Sequence, residues 1–241
     1  MKIWAYGDSF VAGDQDIPGQ NNADAKVLEY NRYNVSFASV LSKHLGVELI
    51  NRAIPGCSNF VQLDRLWMDA SNISPDDLVI FGLTTSWRDR FQIPWQAPGF
   101  VGEFKGDGLV YKPLLYNDDK NRVSVADLFY VLSSIEQLAK IYNLNIVKFN
   151  LFHNCLQEAT KEDAEKFKFE KFIGQDVQGN TLIDMLTNNW GSNVSRISDH
   201  SKWDPDNNYK HLFTPKSHPN IEGHKLIARW LYKQLKQNSW I

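Results

Sequence analysis

Apolar and polar positions alternate between two periods along most of the chain. Short apolar runs bounded by Gly, Pro, Asn and Asp take turns with segments whose apolar residues recur every three or four positions. Lys2 to Tyr6 reads as a first strand, Val47 to Asn51 as a second, Leu78 to Leu83 as a third, and Asn145 to Leu151 as a further one. The third is apolar almost throughout, which suits a central parallel strand covered on both faces. Between the strands, Phe37, Val40, Leu41 and Leu45 form one helical stripe, with Asn34 as its predicted cap and Gly46 as its stop. Phe60, Leu63, Leu66 and Trp67 mark the buried face of a second helix. Ser124 is the predicted cap of a long helix through Tyr142, and Asn220 caps a last one carrying Leu226, Ile227, Trp230, Leu231 and Leu235. Strand and helix in regular alternation predict a parallel sheet with helices on both faces.

Three stretches depart from this rhythm. Gly13 to about Tyr33 is polar and rich in Gly and Asn, and reads as a long loop. From about Trp87 to Val123 the alternation lapses, with Val101–Phe104 and Leu109–Lys112 flanking Lys105-Gly106-Asp107-Gly108 as a small hairpin. This is read as an insertion at about 87–123 in a single domain spanning residues 1–241. The stretch from about Gln157 to Leu212 is mixed in pattern and receives no element assignment. Repeats and low-complexity tracts are absent.

With 241 residues, 43% of them hydrophobic, the chain has enough apolar material for one large α/β core. The formal net charge of -2 and the lack of a long basic run exclude duplex nucleic acid as a main partner. Two cysteines, Cys57 and Cys155, give neither a disulfide framework nor a zinc-ligand spacing. No basic segment followed by a long apolar stretch opens the sequence, and no window is apolar enough to span a bilayer. The expectation is a soluble protein of a reducing cytoplasm, from a bacterial or viral source, with no membrane partner. Eight tryptophans are present, and Trp87, Trp95, Trp190 and Trp203 fall in loop-like stretches suited to lining a cleft.

Candidate chemistry sits at the two ends of the chain. The first strand runs into Gly7-Asp8-Ser9, and Ser217-His218-Pro219-Asn220 precedes the last helix. A serine hydroxyl needs a base within hydrogen-bond reach to become a nucleophile. A fold that brings the termini together supplies one. Gly56 follows the second strand and Thr84-Thr85-Ser86 follows the third. Ligands of open α/β sheets bind outside the carboxyl ends of the strands. One rim therefore gathers a nucleophile, a glycine N–H and a hydroxyl cluster. Asp8 reads as a hydrogen-bond acceptor for the turn; His153 and Asn154, after a further strand, read as packing or surface residues with cleft lining as the alternative; His224 packs or faces solvent, and His44, His200 and His211 have no constellation around them.

These blocks, in this order over nearly the whole chain, resemble the SGNH or GDSL hydrolase family of esterases, lipases and carbohydrate deacetylases: Gly7-Asp8-Ser9, Gly56, Gly82-Leu83-Thr84-Thr85 and His218-Pro219. The resemblance implies a three-layer α/β/α sandwich around a short parallel, flavodoxin-like sheet. It implies Ser9 as nucleophile and His218 as general base. The oxyanion hole is expected from the Ser9 and Gly56 N–H groups, with Thr84 standing where the family has asparagine. Ser86 and Arg88 lie close enough in sequence to assist. The family's orienting aspartate falls at Pro215, so a backbone carbonyl or one of Asp199, Asp204 and Asp206 orients His218, or the pair works as a dyad. No metal or organic cofactor is implied, and the substrate expected is a small-molecule or carbohydrate ester. Hydrolase and acyltransferase share this machinery, and a carbohydrate- or protein-binding module and a structural role in a larger assembly remain alternatives.

Overall fold

The structure, a computed structural model, describes residues 1–14, 24–84, 120–151, 169–173, 182–187, 210–214 and 218–241. Five parallel strands form one sheet: β1 (Lys2–Tyr6), β2 (Glu48–Asn51), β3 (Leu78–Leu83), β4 (Asn145–Asn150) and β5 (Phe172–Ile173), in the order β2-β1-β3-β4-β5. That order is the flavodoxin-like doubly wound arrangement, whose switch point lies between β1 and β3. Ile3 pairs with Leu78 and Tyr6 with Phe81 across the switch, while Ala5 pairs with Asn51 on the other side.

The period of two divides each strand between two cores. Ile3 and Ala5 of β1, with Leu78 and Ile80 of β3, face one layer of helices: α1 (Ser9–Ala12), α3 (Phe37–Leu45) and the C-terminal α7 (Ile221–Gln237). Trp4, Tyr6, Val79 and Phe81 face the other, made of α4 (Asn59–Asp69) and α5 (Lys120–Tyr142). All six residues of β3 are buried, as a strand covered on both sides requires. Along α5, Leu128, Val131, Leu132, Ile135 and Leu138 are buried at helical spacing. Burying each such side chain fully is worth about 1.5–3 kcal/mol, so these two apolar layers dominate the stability of the fold.

Several boundaries differ from the reading of the sequence. Residues 25–34, expected in a loop, form α2 (Ala25–Asn34), capped by Asp24, whose carboxylate accepts the Lys26 N–H at 2.8 Å. Its only fully buried residue is Asn31, so it shows almost no apolar period to read. Asn34 closes α2 and does not cap α3; Ser36 does, its Oγ accepting the Ser39 N–H at 3.1 Å. Gly46 ends α3 in the left-handed conformation as expected. Trp67 is 61% exposed, one position off the buried stripe of α4. Helix α5 begins at Lys120, a turn before Ser124. The mixed region contains β5, the short α6 (Leu182–Thr187) and a 3-10 turn at Lys210–Leu212. The hairpin and most of the insertion lie outside the described residues. Among the described residues no helix is long and apolar enough to cross a membrane.

A lysine side chain sits in the second core. Lys148 of β4 is buried and pairs at 2.5 Å with Glu136 of α5, whose carboxylate also accepts the Glu170 N–H at 3.1 Å just before β5. Burial pushes the Lys148 ammonium down from its ordinary value, while Glu136 works against that shift. Removing one partner would strand a buried charge, which makes this pair a constraint on how β5 joins the sheet.

Candidate active site at the switch point

The chain leaves β1 through Gly7, whose φ of 154 is a conformation L-residues rarely adopt. A Cβ there would lie 2.3 Å from Val11 Cγ2, and one at Gly82 would lie 2.8 Å from the same atom. Both glycines leave space for Val11, which lets α1 settle onto the ends of β1 and β3. Asp8 caps α1, its carboxylate accepting the Phe10 N–H at 2.9 Å. The Gly7 N–H donates to Gln62 Oε1 at 3.1 Å, and the Cys57 thiol donates to the Gly7 carbonyl at 3.3 Å. The Gln62 amide in turn donates to the Cys57 sulfur, so α4 braces the turn from below. Asn51, ending β2, donates from Nδ2 to the Val11 carbonyl at 2.9 Å. Ser9 emerges from this scaffold only 5% exposed.

His218 reaches Ser9 from the other end of the chain. Its Nε2 lies 2.9 Å from Ser9 Oγ, across 209 residues of sequence. The His218 N–H donates to Thr214 Oγ1 at 3.2 Å, and the Thr214 N–H donates to the His218 carbonyl at 2.7 Å. Phe213 and Pro219 form an antiparallel bridge just outside that pair. Asn220 then caps α7, accepting from the Glu222 and Gly223 N–H groups. The imidazole rests against Phe10, ring centroids 5.5 Å apart at an interplanar angle of 44°. For Nε2 to accept a proton from Ser9, the ring must carry its own proton on Nδ1. Pro215, Asp199, Asp204 and Asp206 lie outside the described residues, as do Ser86, Arg88, His153, Asn154, Cys155 and the four loop tryptophans.

Gly56 stands in the turn before α4 with φ 75, and the turn is tied back to the loop before Ser9 by the Ile54 N–H, which donates to the Gly7 carbonyl at 3.0 Å. Thr84, expected at the oxyanion position, is bonded into the scaffold on two sides. Its hydroxyl donates to Asp8 Oδ2 at 2.8 Å and its N–H donates to Asn59 Oδ1 at 2.8 Å. Asn59 Nδ2 donates in return to the Thr84 carbonyl at 3.1 Å. With its hydroxyl proton on Asp8, Thr84 ties the end of β3 to the serine turn. A hydroxyl has a single proton to donate.

Asn51, Asn59 and Gln62 were not singled out in the sequence. In a sequence they look like ordinary turn and first-turn polar residues, and only long-range contacts reveal what they brace. His224, expected to pack or face solvent, packs against Phe37. It is wholly buried, and burial, with a smaller push from His218, lowers its imidazole to about 3. It is therefore neutral at ordinary pH. Among the described residues no three His, Cys, Asp or Glu side chains converge as a metal site.

No protein-family model matches the chain, and no curated protein matches it. Solved structures similar to it include a protein assigned to the G-D-S-L lipolytic family from Desulfitobacterium hafniense DCB-2, at 16% identity and a TM-score of 0.49, covering 97% of this chain and 99% of that one. A member of the lipolytic G-D-S-L family from Veillonella parvula DSM 2008 is similar at 15% identity and a TM-score of 0.46, covering 100% and 99%. The psychrotrophic esterase EstA from Pseudoalteromonas sp. is similar at 13% identity and a TM-score of 0.45, covering 99% and 98%.

Proposed function

We propose that the protein is a serine hydrolase that cleaves an acyl ester, with Ser9 as nucleophile and His218 as its base. The observation that carries this reading is the 2.9 Å contact between Ser9 Oγ and His218 Nε2, formed by opposite chain ends at the switch point of the sheet. A serine and a histidine so placed match the requirement for an activated nucleophile. The order of Gly7-Asp8-Ser9, Gly56 and His218-Pro219 along the chain supports the same reading.

In this mechanism Ser9 Oγ attacks the carbonyl carbon of the ester while Nε2 of His218 takes the hydroxyl proton. The tetrahedral oxyanion is received by the backbone N–H groups of Ser9 and Gly56. Collapse expels the alcohol, which takes the proton from His218 as it leaves, and the acyl group stays on Ser9. Water then attacks the acyl-enzyme, giving its proton to His218, and the carboxylic acid departs as Oγ regains a proton. Removing one oxyanion donor from an enzyme of this type costs about 10²–10³ in kcat. With Thr84 engaged by Asp8, this site relies on its backbone donors.

The substrate class proposed is a small acyl group on a carbohydrate, such as an O-acetyl ester, in keeping with the abundance of tryptophan in the sequence, a residue suited to sugar faces. The test is turnover of p-nitrophenyl acetate and of acetylated sugars by the wild type beside Ser9→Ala. Release of acetate that disappears in Ser9→Ala supports the proposal. A folded wild type inert on short esters and acetylated sugars alike would sink it. Repeating the assay with an added alcohol separates hydrolysis from acyl transfer, because a transferase yields a new ester in place of free acid.

A further inference from the structure

His218 and His224 flank the start of α7, six residues apart, and the structure treats them in opposite ways. His224 Nδ1 accepts the N–H of Phe37, the first residue of α3, at 3.3 Å, and its ring stacks on the Phe37 ring with centroids 6.2 Å apart. Accepting at Nδ1 assigns the ring proton to Nε2, and that buried N–H has no partner among the described residues. An unpaired buried donor is unfavourable, and an apolar ring would fill the same space without it. What an apolar ring lacks is the acceptor for Phe37, so the Nδ1 contact is the feature that distinguishes histidine at this position.

That contact is one link of a buried polar path between the two halves of the site. At one end, Asn51 Nδ2 donates to the carbonyl of Val11, two residues beyond Ser9 in the same helix. The same Nδ2 reaches Ser36 Oγ, the cap of α3, at 3.4 Å. Phe37 follows directly and donates to His224, one turn into the helix that Asn220 and His218 precede. Asn51, Ser36 and His224 are all buried, so the path is shielded from water. Helix α3 thus acts as a spacer, gripped through its N-terminus by β2 and α1 on one side and by α7 on the other.

We infer that His224 is a positioning residue: by docking α7 onto the N-terminus of α3, it sets the separation across which His218 takes the proton of Ser9. The inference rests on the hydrolase reading proposed above. It touches neither substrate nor the reacting atoms, and its effect falls on the rate of proton transfer and not on substrate binding.

The test is fluorophosphonate labelling of Ser9 followed over probe concentration, so that the maximal labelling rate and the half-saturating concentration are read separately. His224→Phe keeps the ring and loses the acceptor. His224→Asn keeps an acceptor near the place of Nδ1. Misplacing reacting groups by about 1 Å can cost about 10²-fold, so His224→Phe is expected to lower the maximal rate by about 10-fold or more with half-saturation little changed. His224→Asn should regain most of that loss. A His224→Phe protein that melts earlier yet labels at the wild-type rate would overturn the inference, because histidine would then be structural only. If His224→Phe does not fold, Asn51→Ser tests the path at its other end, with the same rate-selective loss expected and a wild-type rate contradicting it. A wild type that is not labelled at all would overturn the hydrolase reading itself, and this inference with it.

Discussion

The ends of β1 and β3 are neighbours on one rim of the sheet, yet they are built for different tasks. After β1 the chain turns through Gly7 and Asp8 so that Ser9 Oγ points away from the scaffold to meet His218. After β3, Thr84 turns its donors inward, to Asp8 and Asn59. Asp8 joins the two, accepting from Phe10 in the serine turn and from Thr84 across it. The same residue type, a hydroxyl at a strand end, is a nucleophile candidate in one place and a brace in the other. Strand-end position alone does not assign chemistry; the partner of the hydroxyl does.

The strongest way to break this contrast is to remove the β1 side. Ser9→Ala and His218→Ala are each expected to lower ester turnover by on the order of 10⁴ or more without loss of fold, measured by steady-state kinetics and circular dichroism. Next in size is Gly7→Ala. Its Cβ would meet Val11 at 2.3 Å in a backbone conformation that disfavours it, and thermal unfolding should show a loss of about 3 kcal/mol or more. Thr84→Val sharpens the contrast directly. Losing the hydroxyl takes a hydrogen bond from the buried Asp8 carboxylate, and denaturant titration should register about 1–3 kcal/mol. Were Thr84 an oxyanion donor instead, stability would hold and kcat alone would drop.

The smallest effect expected is one of pH. Folded His224 stays neutral down to about 3, whereas the unfolded chain takes up a proton near the ordinary value of 6.5. The unfolded state therefore binds more protons in that window, and stability declines as pH falls through it. Lowering pH from 7 to 5.5 should cost roughly 1 kcal/mol through this residue alone. His224→Phe, where it folds, should be flatter over the same range by that amount.

The sequence carried the frame of the fold because its central strands, β1 and β3, are buried nearly throughout. Leu78–Leu83 and Lys2–Tyr6 are recognisable by apolar content alone, and Gly46 and Asn220 mark helix ends by standard capping chemistry. Where burial is slight the pattern fades, as in α2, with Asn31 its one buried residue. Trp67 shows the opposite failure: a large aromatic next to an apolar stripe reads as core, but a helix turns it outward. Ser9 and His218 were legible through motif and order. The Thr84–Asp8 contact was not, since it joins residues 76 apart whose types suit several roles. Lys148 is hidden for another reason: it is a charged residue in a buried strand, and only the fold shows that Glu136, on the helix just before that strand, meets it.

The central claim is that Ser9 is an activated nucleophile whose base is His218. Intact-mass measurement after fluorophosphonate treatment, on wild type, Ser9→Ala and His218→Ala, tests it most directly. A single adduct is expected on the wild type, mapped to Ser9, absent from Ser9→Ala and strongly slowed in His218→Ala. A folded wild type that stays unmodified, or an adduct that persists in Ser9→Ala, would contradict it.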